Sequence, residues 1–390
     1  MVKKKNFVDV VIIAAILITV ILGALFDWNE INSYEMYNTS TLDYVSGKVV
    51  SVESENLVKD TLDEDRYYGV QELKVLIQEG DYKGQTLDIV NYLSNTSNVL
   101  AEEGMKVIIC VDMPENAEPY FTVYNYDRSN PLAFILLMFA AAMIVVGGKK
   151  GIRAMVGLIF TMAVILLLLV QGIYHGLSVI PLTLCILLLV TLASVYILNG
   201  RSRKTLLFAA ATVTGLMVAA VFCEICQMML KAGGYLFSET ESLILIAQNT
   251  GLQVQHLLFA GVLISSLGAV MDVGVSIVSA LYEVKRANPS QSRKDIFFAG
   301  MNIGKDMIGT MSNTLILAFT GTSLTTMLLL LAFGYQAEQL LNSNYFIMEI
   351  VRGISSTFAV IMTVPAASAV AAAFIREKDV MLGTQKSCSK

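Results

Sequence analysis

Eight stretches of this chain are too long and too apolar to sit on the surface of a soluble domain, and no other feature restricts its fold so far. They run at roughly 8–26, 132–147, 152–171, 177–198, 205–230, 254–282, 308–333 and 347–375. The hydrocarbon core of a bilayer is about 30 Å thick, and a helix needs about 20 apolar residues to cross it. The expected fold is therefore an α-helical membrane protein with eight transmembrane helices. Only 15% of the residues are charged, against about 25% in soluble domains. The second stretch is short, but Pro131 at its start suits a first helical turn, where its missing N–H costs nothing. The first stretch lacks a small-x-small cleavage pattern, and Trp28 follows it where an interfacial aromatic would anchor a span. It reads as a retained anchor.

The basic residues give the orientation. Lys3, Lys4 and Lys5 precede the first span, and Lys149, Lys150 and Arg153 fill the turn between the second and third. Arg201, Arg203 and Lys204 lie between the fourth and fifth, Lys285, Arg286, Arg293 and Lys294 after the sixth, and Arg376 and Lys378 after the eighth. The alternate short connections hold only Lys231. By the positive-inside rule both termini are cytoplasmic, in a cell membrane, and the number of spans is even.

Between the first two spans the hydrophobic period changes to two. Val45–Val52, Gly69–Gln78, Thr86–Leu93, Met105–Val111 and Tyr120–Tyr126 read as five strands separated by turns such as Glu79-Gly80-Asp81. Five strands in so short a segment suit a small extracytoplasmic all-β domain of OB type, with an unspecified β-sandwich as the alternative. The acidic segment Leu57–Arg66 reads as an exposed loop. The expected organisation is an anchor at 1–30, the β domain at 31–130, a seven-helix membrane domain at 131–378 and a tail at 379–390. The segment Asp27–Asn130 carries 20 acidic and 7 basic residues, and the remainder 12 acidic and 20 basic. An acidic external part on a basic membrane part argues against nucleic acid as a partner. Only Cys110 of the five cysteines falls in the external segment, so no disulfide can form within it.

Candidate chemistry concentrates in the membrane part. No P-loop, dinucleotide fingerprint, HExxH or nucleophile elbow is present, and an enzyme is not expected. His175 and His256 lie near the outer ends of spans and read as interfacial residues before metal ligands. Cys223 and Cys226 are one turn apart in an apolar helix, where packing explains them better than a metal or redox role, and no cofactor is expected. In the sixth span Ser265, Gly268, Asp272, Ser276, Ser279 and Glu283 recur every three or four residues and share one face. Small residues on such a face let another helix approach closely. Asp272 needs a further explanation, because intramembrane carboxylates are costly and usually border a cavity or a pathway.

The seventh span has a matching row of Asn302, Asp306, Gly309 or Thr310, Asn313 and Thr320, with Lys305 beside Asp306. About 40 residues follow Asp295 before the next polar loop, too many for one crossing, so Asp295–Gly304 is expected to lie along the inner surface first. Glu224 and Arg352 sit at similar depths, roughly 8–9 Å below the outer boundary, and are a candidate intramembrane pair. Snorkelling of Arg352 is the alternative. Pro365 frees the carbonyl of Ile361 and is a candidate hinge.

The run Ser266-Leu267-Gly268-Ala269-Val270-Met271-Asp272-Val273-Gly274-Val275-Ser276-Ile277, followed by Leu281-Tyr282-Glu283, resembles the core of the YibE/F-like membrane proteins. The arrangement of one anchor, a small external domain and about seven further spans is similar too. A second, partial resemblance is to the SecF-type half of the RND permeases, carried by Asp272, the charged exit Glu283-Val284-Lys285-Arg286, Asn302 and Thr310–Thr314. This chain has two more spans than such a half and a smaller external domain. The resemblance implies proton-coupled movement at an intramembrane Asp. The expectation is a permease or ion-coupled transport or export factor of unknown solute, with Asp272, Ser276, Glu283, Asn302, Asp306 and Asn313 along the pathway. The competing expectation is a scaffold or assembly factor whose external domain docks an envelope partner. A homo-oligomer fits either.

Overall fold

The computed structural model describes residues 34, 41–61, 65–114, 118–200, 202–236 and 239–375. The anchor at 1–30, the tail at 379–390, Arg201, Arg376 and Lys378 lie outside the described residues. The chain divides into two compact units, one of 35–145 and one of 146–390 with 1–34.

The first unit is built on five strands, β1 (Leu42–Lys59), β2 (Tyr67–Ile77), β3 (Thr86–Leu93), β4 (Lys106–Asp112) and β5 (Tyr120–Tyr126). They form one antiparallel sheet in the order β3-β2-β1-β4-β5, and its two edge strands, β3 and β5, come together to curl it into a half-barrel. Alternation decides which side chains go inside. Val45, Val49, Leu73, Val75, Ile77, Ile89, Val107, Ile109 and Val111 are buried while their neighbours face out. Each such side chain contributes about 1.5–3 kcal/mol by leaving water. β1 is much longer than the alternation indicates. Register shifts at Val49/Ser51 and Val52/Ser54 interrupt the pattern, and β1 continues to Lys59 opposite Tyr67. The expected loop over Leu57–Arg66 thus gives up its first three residues to the sheet.

Two buried amides tie the segment before β4 to this sheet. Gln71 Nε2 donates to Glu55 Oε1 (2.8 Å) and to the Ala101 carbonyl (3.1 Å), and Gln71 Oε1 accepts from the Ala101 N–H (3.0 Å). Asn91 Nδ2 donates to Gln71 Oε1 (3.0 Å) and to the Val99 carbonyl (2.7 Å). At the surface, hydrogen bonds from the Ser129 N–H and Ser46 hold the Asp127 carboxyl below the usual range, and Ser51 and Lys74 do the same for Glu53.

The remaining elements are helices: α1 (Ser129–Tyr174), α2 (Val179–Asn199), α3 (Arg203–Leu230), α4 (Thr240–Thr250), α5 (Leu257–Ala287), α6 (Arg293–Thr322), α7 (Leu324–Ala332), α8 (Ala337–Leu341) and α9 (Asn344–Phe374). Among the described residues five helices are long and apolar enough to cross a membrane, with a sixth crossing if the bent pair α6–α7 is one span. α1 is 46 residues long, about two bilayer cores at roughly 1.5 Å per residue. It is broken at Gly148, whose φ of 54° and ψ of −134° are not helical and which only glycine adopts without strain. The break falls between the two expected spans, beside Lys149 and Lys150.

α9 is the centre of the helical unit and packs against α3, α5 and α6. Glycines make the close approach. A Cβ at Gly304 would overlap Val364, one at Gly300 would lie 2.5 Å from Ser368 Oγ and 2.9 Å from Leu281 Cδ1, and one at Gly215 would overlap Thr363. This is the small-residue packing of membrane helices, in which backbones meet because side chains are absent. It also corrects an expectation. Asp295–Gly304 is not a separate segment that turns at Gly304, since α6 runs unbroken from Arg293 to Thr322 and Gly300 and Gly304 seat it on α9. The excess length is taken up later, by a 56° bend at Ser323 between α6 and α7.

Candidate functional site

α5 sorts its residues by side. Val262, Leu263, Leu267, Val270, Val273, Ile277, Val278 and Leu281 are buried. On the opposite side Gly268, Asp272, Ser276 and Glu283 are exposed and Ser265 and Ser279 half-buried, so the row expected from three- and four-residue spacing is one face of the helix. Nothing lies within 4 Å of where a Cβ on Gly268 would be. Glu283 pairs with Arg286 at 3.6 Å, both exposed. At the margin, the Ser265 hydroxyl meets that of Ser356 in α9 at 3.2 Å.

α6 repeats the division. Ile296, Gly300 and Gly304 are buried, while Asn302, Lys305, Asp306, Gly309, Asn313 and Thr320 are exposed. The space around Gly309 is also empty to 4 Å. Hydroxyls here turn back on their own helix, Thr310 onto the Met307 carbonyl (3.1 Å) and Thr314 onto that of Thr310 (2.8 Å). Leu281 and Gly300 meet, which fixes a common level. At about 1.5 Å per residue Asp306 lies roughly 9 Å and Asp272 roughly 13 Å farther along. The two carboxylates are thus at comparable depth. Among the described residues no hydrogen bond and no ion pair within 4 Å links them.

Other candidates fare differently. Arg352 pairs with Glu349, Nη1 to Oε1 at 3.1 Å one turn away, instead of with Glu224. An i,i+3 partner on the same helix is held in reach without any tertiary arrangement. Glu224 is half-buried, and its Oε1 has no hydrogen-bond partner. Pro365 lies within α9, which continues through it, and its neighbours Thr363 and Val364 are the residues seated on Gly215 and Gly304. Cys223 is buried and accepts from Gln227 Nε2 at 3.2 Å, and no group of three metal-ligating side chains occurs among the described residues. The Gly300-x-x-x-Gly304 spacing and the role of Glu349 are absent from the sequence reading. The glycine spacing was the available signal for the first.

No curated protein and no solved structure matches this chain. The model of one family, described as YibE/F-like protein, matches residues 135–377. The match takes in α2 to α9 and nearly all of α1, and leaves the five strands outside it. A family model that covers more than half of the chain, and with it the long apolar helices, places this protein in the YibE/F-like family of membrane proteins.

Proposed function

We propose that the chain is a permease or ion-coupled export factor in which Asp272 takes up and releases the coupling proton. Ser276, Asn302, Asp306 and Asn313 line the same route, and Glu283 stands at its cytoplasmic mouth. The observation that carries this reading is the exposure of Asp272 and Asp306 on helix faces that the α9 core does not use. Such side chains at membrane depth are costly against lipid, and a water-lined route relieves that cost. In this reading the two arms of α1 cross separately and the bent pair α6–α7 crosses once, which with the anchor gives eight spans and two cytoplasmic termini. The strand order and the meeting of β3 with β5 support an OB-like external domain. A cysteine at Gln336, in a background without native cysteines, then reacts with an impermeant thiol reagent from outside and one at Ser290 does not. The reverse pattern overturns the orientation.

The test of Asp272 is a proton-flux assay in proteoliposomes with an imposed pH gradient, screened across candidate ions. Asp272→Asn keeps shape and hydrogen bonding but cannot exchange a proton, so flux is lost at normal abundance. Asp272→Glu still titrates and keeps part of it. Full flux in the Asn variant with failure in the Glu variant would make Asp272 a packing element.

A second reading is a scaffold whose external domain docks an envelope partner. The exposed tyrosines of the sheet favour it, Tyr44 and Tyr124 in edge-to-face contact at 4.9 Å, with Tyr92 and Tyr120 also outward. Aromatic side chains of this kind anchor protein interfaces. Pull-down by the full chain, lost in a Tyr44→Ala/Tyr124→Ala variant, separates it from the first.

A further inference from the structure

The strand unit holds a crevice of about 500 Å³ between β5 and the segment that follows β3, within the size range of small-molecule sites. Asn98, Thr122, Tyr124, Asn125, Tyr126 and Arg128 border it. Two of these side chains build its walls. Asn98 Nδ2 donates to the carbonyls of Tyr67 (2.6 Å) and Ser94 (3.1 Å), and the Tyr126 hydroxyl accepts from the Leu100 N–H (3.0 Å). Other polar groups are left over. Asn125 Oδ1 takes the Tyr126 N–H (2.9 Å), while its Nδ2 and the Thr122 hydroxyl have no partner among the described residues. Arg128 stands exposed at the rim, over the ring of Tyr126 at 5.5 Å, and forms no hydrogen bond or ion pair among the described residues.

No carboxylate borders the crevice. The nearest in sequence, Asp127, is engaged by the Ser129 N–H (3.0 Å) and the Ser46 hydroxyl (3.3 Å), with Lys106 close to it. The charge of Arg128 is therefore open to a ligand. Beside it stands the exposed ring of Tyr124, which Tyr44 meets edge-to-face at 4.9 Å. A guanidinium fork matches a carboxylate through two parallel bonds. The amide and hydroxyl groups match the hydroxyls of a sugar, and an aromatic face suits the C–H side of its ring.

We infer that this crevice binds an acidic sugar, a hexose ring bearing a carboxylate. The carboxylate sits on Arg128, a ring hydroxyl on Asn125 Nδ2 and the ring against Tyr124. The site goes beyond both functional readings. It uses no residue of the α5–α6 face, and shares only Tyr124 with the tyrosine docking surface.

Saturation-transfer NMR of the full chain in phosphatidylcholine nanodiscs tests it, with glucuronate as the probe and empty nanodiscs subtracted. Glucuronate binds. Its neutral analogue glucuronamide, and acetate, which lacks the ring, bind about tenfold more weakly or not at all. Arg128→Gln weakens glucuronate to the level of glucuronamide, and Asn125→Ala weakens it about threefold, the worth of one hydrogen bond. Lys48→Gln removes the same charge from β1, outside the crevice, and leaves binding unchanged. Glycerol phosphate, the head of an anionic lipid, binds more weakly than glucuronate. Glucuronamide, acetate or glycerol phosphate binding as tightly as glucuronate overturns the proposal, and so do equal losses in Arg128→Gln and Lys48→Gln. The comparison of glucuronate with glucuronamide decides the matter alone if Arg128→Gln does not fold, because it removes the charge from the ligand instead of the protein.

Discussion

The two units solve the problem of buried polar groups in opposite ways. In the strand unit, Gln71 and Asn91 reach across elements, and their amides fasten the segment of Val99 and Ala101 to β2 and β3. In the helical unit, three buried hydroxyls of α3 and α9 bond within their own helix, Thr212 to the Phe208 carbonyl, Thr363 to that of Ala359 and Ser368 to that of Val364. Beside the hydroxyl pairs Thr161–Ser194 and Ser265–Ser356, the helices meet by shape, glycine against side chain. The lesson concerns medium. Next to water, cross-element hydrogen bonds select one register among many. In hydrocarbon the hydrophobic drive between helices vanishes and close fit takes its place.

The largest test of this contrast is at the helix contact. Gly304→Leu should remove most of the folded, monodisperse protein seen by size exclusion of a fluorescent fusion, because Val364 occupies the space the side chain needs. Overpacking usually costs about 1–3 kcal/mol and more where backbones touch. Gly309→Leu, one turn beyond on the open side of the same helix, should stay within about 0.5 kcal/mol of wild type. Equal damage from both would mean that the far side of α6 is packed as well.

A middle-sized effect is expected in the strand unit. Gln71→Leu leaves Asn91 and the Ala101 N–H short of a partner at a cost of about 1–3 kcal/mol. Hydrogen exchange on the full chain should show lost protection at Leu100 and Ala101, with α9 unchanged. Loosening of α9 by the same change would join what the contrast separates.

The smallest effect is pH-dependent. Asp127 and Glu53 have carboxyls lowered by their hydrogen bonds in the folded state. Their contribution is therefore present above the unfolded values near pH 4, and is lost as pH falls through the lower folded values. Exchange in β1 and near β5 should rise below about pH 4, while the helix contacts, which rest on no carboxylate, keep their protection.

These elements were unequally legible in the sequence. All five strands followed from alternation, because one side of each is buried. The far end of β1 did not, because its register shifts break the alternation they interrupt. The polar rows of α5 and α6 were legible as spacing, and their openness was not, since spacing gives a face but never its neighbour. The bend at Ser323 was not legible, because the length of an apolar stretch shows that it exceeds one crossing and not where it bends. Arg352 took Glu349, a partner one turn away, over Glu224 at matching depth.

The self-contained hydroxyls of α3 and α9 bear on motion. A helix fastened by bonds to its neighbours must break them to shift, and the cost arrives all at once. α9 keeps Thr363 and Ser368 satisfied wherever it stands, and the Ser265–Ser356 contact is the hydroxyl pair that bridges it to α5. Its resistance to sliding or turning is therefore friction between close surfaces, graded by how far a valine must ride over a glycine. Packing of this kind sets the length of any shift at about the width of one side chain.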